Sequence, residues 1–123
     1  MNLILGVRRD GMQERTNSEI SPEVLKPLVI RALRRSSIRK KIAEYLFDIS
    51  PSASYTSEIA HQVNTTPTNV IGAIRGMGDR YKPAESLIRL NIVEPIDQQR
   101  TDIKLYRITE FGKQFLQQTQ NRQ

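Results

Sequence analysis

The stretch Thr66-Pro67-Thr68-Asn69 leads into Val70, Ala73, Ile74 and Met77. Those four apolar residues fall at i, i+3, i+4 and i+7, which predicts a buried stripe on a helix over about residues 66–77. The positions left outward are Thr66, Thr68, Asn69, Gly72, Arg75 and Gly76. Several of these types suit the edges of nucleic-acid bases. Asn can pair bidentately with adenine, Arg with guanine, and Thr can bond a phosphate or touch a thymine methyl. A cap is the main role expected of Thr66. For Asn69 and Arg75, base or phosphate contact stands against a plain solvated position.

Gly72 and Gly76 lie four apart on the expected outward face. Glycine in a helix costs up to ~1 kcal/mol relative to alanine, so two of them need a reason. One reason is close packing on a neighbouring element. The other is close approach to DNA or to a partner helix. In either case few side chains remain to read bases, so readout through the backbone and DNA shape is expected to help.

Positive charge is concentrated in RALRRSSIRKK, which holds Arg31, Arg34, Arg35, Arg39, Lys40 and Lys41 and no acidic residue. Those six charges equal the whole formal excess of +6. The sequence pI is about 10.0. Such a balance suits a polyanionic partner, nucleic acid first and an anionic membrane surface second. A solvated helix face is the alternative reading. A second basic group, Arg80, Lys82 and Arg89 around Tyr81, follows the helix and could hold a phosphate. Arg100 and Lys104 flank a later turn.

Other chemistries lack their residues. No cysteine is present, and His61 is the single histidine, so a nitrogen or sulfur metal site is not expected. His61 has no triad-like spacing to a nucleophile, and no glycine-rich phosphate loop follows a strand. An enzyme, a cofactor and a dedicated small-molecule pocket are therefore not expected. No run approaches the ~18 apolar residues of a membrane span, and MNLILGV is too short for a signal peptide. A cytoplasmic location is expected.

The elements that position these residues are legible in outline. Residues 1–20 read as a flexible lead whose apolar tip, Leu3-Ile4-Leu5, docks on the domain or forms a dimer contact. A single domain over 21–117 follows, with a frayed tail over 118–123. Ser21-Pro22-Glu23 starts a helix, in which Pro27 should introduce a kink or shift the start. Ser36-Ser37 breaks it, and a helix over 37–49 follows. Thr56 is expected to cap a short helix through Val63, with Asn64-Thr65 as the turn. Pro83 opens another helical piece, and Asn91 suits a left-handed cap. Residues 92–108 read as a hairpin with a polar tip at 97–101. The parity of the second strand is open, since Ile103 and Leu105 oppose Tyr106 and Ile108. Thr109-Glu110 caps a last helix carrying Phe111, Phe115 and Leu116 inward.

The expected class is thus mainly α with a small β-hairpin (α+β), in the order of a winged helix-turn-helix. YTSEIAHQVNTTPTNVIGAIRGM, LIRLNIVEP and YRITEFGKQFL, in that order, resemble winged helix-turn-helix transcription regulators. The likeness covers about residues 34–116 and is similar to small archaeal regulators related to the MarR and ArsR groups. It implies sequence-specific binding of double-stranded DNA, commonly as a homodimer, with Thr68, Asn69 and Arg75 in the major groove and the 97–101 loop as the wing. The residues 78–86 (GDRYKPAES) depart from that pattern. A protein-interaction adaptor of the same fold and an RNA-binding module are the competing functions. The extra helix over 22–35 and the terminal helix are the surfaces expected to form the dimer.

Replacing Arg34, Arg35, Lys40 and Lys41 with Gln should weaken binding to all duplexes alike and flatten the salt dependence by about one log–log unit per lost phosphate contact. Titrations at several salt concentrations check this. Loss of discrimination between sequences at retained affinity would contradict it.

Overall fold

The computed structural model describes residues 21–96 and 103–121. The lead 1–20, the hairpin tip with Arg100, and the last two residues lie outside the described residues. Within them the chain is α+β, with five helices and a small three-stranded antiparallel sheet.

Helix α1 spans Pro22–Arg35 and buries Leu25, Val29 and Ala32. Ser21 starts it through its backbone carbonyl, which accepts from Val24 and Leu25, and not through its hydroxyl. Pro27 lies inside an unbroken helix. It removes only the hydrogen bond that its own nitrogen would make, and its side chain is exposed. Ser36 leaves the helix with extended backbone and caps α2, Ser37–Ile49, by accepting from the Arg39 N–H at 3.2 Å. Ile42, Ala43 and Leu46 of α2 are fully buried.

Strand β1, Ser54–Tyr55, follows, and α3, Thr56–Gln62, starts directly from it. Thr56 is therefore the first helical residue and makes no cap; Tyr55 occupies the cap position. Asn64 turns the chain with φ 60°, and the Thr65 N–H bonds the Ala60 carbonyl at 2.9 Å. Asn tolerates that left-handed conformation. Helix α4 then spans Pro67–Arg75, capped by the Thr66 hydroxyl, which accepts from the Asn69 N–H at 3.1 Å.

Helix α4 ends two residues before the expected Met77. Gly76 takes φ 95°, ψ 144°, a conformation closed to residues with a β-carbon. Met77 instead bridges to Tyr81 and is 40% exposed. Tyr81 lies on Gly72, where a β-carbon would come 2.5 Å from the ring. Both glycines thus serve the next segment, and neither is an open outward position. The expected helix after Pro83 is only a 3-10 turn, Pro83–Glu85. Beyond it the N–H groups of Leu87 and Ile88 bond the carbonyls of Ala73 and Ile74, both at 3.0 Å. They satisfy acceptors that the end of α4 leaves open.

Asn91, at φ 63°, turns the chain into β2, Val93–Ile96. It pairs with β3, Leu105–Ile108, in the sheet order β1-β3-β2. The sheet thus has three strands, one more than expected. Strand β1 pairs Ser54 with Tyr106 and Tyr55 with Leu105. Pro95 sits on the edge strand β2, where a missing N–H is tolerated. The open parity resolves toward Tyr106 and Ile108, both buried, while Ile103 is 56% exposed. Thr109 caps α5, Glu110–Asn121, by accepting from the Gly112 N–H at 2.9 Å. The helix continues past Gln117, and the Thr119 hydroxyl bonds the Phe115 carbonyl within it.

One core joins these parts, with Leu25, Ile42, Leu46, Ile59, Ile74, Leu87 and Ile92 among its largest fully buried side chains. Gly76→Ala should destabilise the protein by about 2–3 kcal/mol. The new β-carbon meets the Pro83 Cα at 2.6 Å in a backbone conformation that alanine avoids. Gly78→Ala, at φ 56° in open space, should cost less. Urea unfolding of both variants checks the order; equal losses would contradict it.

Candidate nucleic-acid interface

The outward face of α4 follows from what lies inside it. Val70, Ala73 and Ile74 are buried, and Gly72 is covered by Tyr81. Pro67, Thr68, Ile71 and Arg75 remain exposed, the last three at i, i+3 and i+7 on one narrow stripe. Ile71, which was not among the expected DNA contacts, is 38% exposed. Its signal was available, since the buried stripe on either side of it leaves position 71 outside.

Arg75 is held toward the sheet. Its guanidinium donates to the Tyr106 hydroxyl at 3.3 Å and lies 6.0 Å from the centre of that ring. It therefore bridges the end of α4 and the central strand of the sheet. Asn69 is half-buried, and its side-chain amide donates to the Thr65 hydroxyl at 3.0 Å. A bidentate pair with adenine would have to break that bond, so Asn69 first of all fastens the turn. Thr66 is the cap that its type suggested.

The basic run does not form a single cationic side. The break at Ser36 sends its charges to different surfaces. Arg31, Arg34 and Arg35 border a shallow apolar depression on α1 with Pro27 and Ile30. Lys41 faces the end of α3 beside Gln62 and Asn64. Lys40 is exposed. Arg35 is 54% exposed and pairs with Glu85 at 2.8 Å.

Arg39 was expected at the surface and is 3% exposed. Its position explains why: it precedes Ile42, Ala43 and Leu46 by three, four and seven residues on the buried face of α2. Its guanidinium reaches Glu85 at 3.5 Å and lies 5.6 Å from the Tyr81 ring centre, while its Nε has no partner. Burial lowers its pKa from the ordinary arginine value; the charges of Glu85 and Tyr81 act against that shift, and nearby Arg35 adds to it. Arg39 is therefore not a surface cation.

Arg80 stacks on the same Tyr81 ring at 5.6 Å and stays exposed, as does Lys82. Both line a cleft with Arg35, Ser36 and Arg39, and Tyr81 in its wall rests on Gly72 of α4. Lys104 is exposed just before β3. The structure thus leaves Thr68, Ile71 and Arg75 exposed on α4, and groups Arg80 and Lys82 with Arg35 and Arg39 around one cleft.

The shared carboxylate gives an asymmetric expectation. Glu85→Gln leaves the buried Arg39 charge without its ion pair, and should cost up to about 3 kcal/mol, the low end for a broken buried pair because Glu85 keeps 15% of its side chain exposed. Arg39→Met removes the charge and keeps most of the volume, so it should cost less. Denaturant unfolding of the two variants decides this; a larger loss for Arg39→Met would contradict it.

Among the described residues no helix is long and apolar enough to cross a membrane. No solved structure matches the chain. An uncharacterized protein of Methanocaldococcus jannaschii is 40% identical over 91 residues, which is 74% of this chain and 80% of that protein. The EarA-like family model matches residues 29–119, from the second half of α1 to the end of α5. The chain belongs to the EarA-like family.

Proposed function

We propose that the chain is a winged helix-turn-helix protein, akin to the MarR- and ArsR-related regulators its sequence resembles, that binds double-stranded DNA sequence-specifically and regulates transcription. Helix α4 enters the major groove, braced by α3, and the β2–β3 hairpin lies on the backbone as the wing. A cytoplasmic protein without a cofactor fits this role. The observation that carries the reading is the exposed stripe of Thr68, Ile71 and Arg75 on a capped helix after a tight turn. Arg75 suits a guanine or a phosphate, and Ile71 suits the methyl group of thymine.

A homodimer through α1 belongs to the same proposal. Val24 and Leu28 are 56% and 37% exposed along that helix, an apolar surface that none of the described residues covers. A two-fold dimer would select a pseudo-palindromic site. Selection of bound duplexes from a random pool at physiological salt tests the whole reading. An enriched, pseudo-palindromic motif is expected. A pool that gains affinity for no motif would overturn it and favour a protein-binding adaptor, for which exposed Ile71 and Met77 would supply the apolar contact.

The role of Ile71 can be checked separately. Replacing the thymines of the selected site by deoxyuridine should weaken binding about fourfold for each methyl buried, equivalent to ~0.8 kcal/mol. Ile71→Ala should bind thymine and deoxyuridine sites alike. Unchanged discrimination in that variant would place the methyl contact elsewhere.

A further inference from the structure

A cleft of about 440 Å³ lies between the α1–α2 junction and the segment that follows α4. Arg35, Arg39, Arg80 and Lys82 line it against only two carboxylates, Asp79 and Glu85. Glu85 is already shared between two guanidiniums, at 2.8 Å from Arg35 and 3.5 Å from Arg39. Both Arg39 and Arg80 also stack on the single Tyr81 ring. The positive charge gathered here is therefore incompletely matched.

Two further features favour an anion. Ser36, the cap of the 13-residue helix α2, lies in the cleft wall, and the first turn of that helix carries no acidic residue. Its N–H groups and dipole present positive potential at that point. Independently, the Arg39 side chain is 4% exposed and its Nε is buried with no hydrogen-bond partner. A buried donor left unpaired costs stability, and an acceptor that draws the guanidinium toward the cleft would relieve it.

We propose that this cleft binds a phosphate group, either of a small phosphorylated molecule or of a nucleic-acid backbone. Lys82 and Arg80 supply the open side, Arg35 the rim, and Arg39 with the α2 N-terminus the floor. The wall at Tyr81 rests on Gly72 of α4, so an occupant also tightens the contact that positions that helix. The site rests on the cleft's own geometry, and the DNA reading enters only as one possible source of the phosphate.

The test uses the full chain and inorganic pyrophosphate, with sodium chloride at matched ionic strength as reference. Pyrophosphate should raise the thermal midpoint by about 4–8 °C at ten times its dissociation constant. It should also move the Arg39 Nε–H resonance. The double variant Arg80→Gln/Lys82→Gln, altered only at exposed positions, should bind at least about tenfold more weakly. A midpoint rise no larger than that in chloride, an unmoved Arg39 resonance, or undiminished binding by the variant would overturn the proposal. Competition with a labelled random duplex then names the source. Displacement identifies the nucleic-acid backbone and simultaneous binding a separate small ligand, and the site stands in both cases.

Discussion

Two missing β-carbons govern how this chain closes on itself. At Gly72 a side chain would strike the Tyr81 ring, and at Gly76 it would strike Pro83 in a backbone conformation only glycine takes readily. Without those side chains, the segment after α4 lies directly along it. Leu87 and Ile88 can then donate to the last carbonyls of the helix, and Leu87 reaches the core with no exposed surface. Ile92 and Val93 both donate to the Leu87 carbonyl, so the same closure aims β2 into the sheet. The helix interior tolerates a glycine cost of up to ~1 kcal/mol because packing and hydrogen bonds of this kind offset it.

That closure also sorts the charges. It brings Tyr81 between Arg39 and Arg80, and Glu85 within reach of both Arg35 and Arg39. One guanidinium is thereby drawn inside while its neighbours stay at the surface. Of the six positions expected outward on α4, Thr68 and Arg75 remain open, joined by Ile71, because the glycines are covered and Asn69 and Thr66 hold the turn and the cap. A narrow mixed face beside dispersed cations suits a protein whose affinity comes mostly from phosphates and whose specificity comes from few contacts.

Local signals in the sequence carried most of the fold. The Thr66 cap, the helix over 37–49, the left-handed Asn91 and the Thr109 cap all depend on residues a few positions apart, and the structure has them there. What was not legible depends on distant partners. Strand β1 is two residues long and is a strand only because β3 pairs with it. Gly72 and Gly76 looked outward because Tyr81 and Pro83, which cover them, belong to a segment with no regular periodicity. Arg39 was misplaced for a different reason. Its spacing to Ile42, Ala43 and Leu46 marked it as inward, but its type and its neighbours in a basic run outweighed that pattern. The site inherits these errors: its helix was found, while Ile71 was not among the DNA contacts expected on it.

The most direct test of the account is to map where duplex DNA touches the protein, by following amide resonances of the labelled full chain as a selected duplex is added. The account predicts that the largest changes fall on residues 65–75 and on the β2–β3 hairpin, with smaller ones at Arg80 and Lys82. Changes confined to α1 or α5, with the α4 stripe unmoved at saturation, would contradict it.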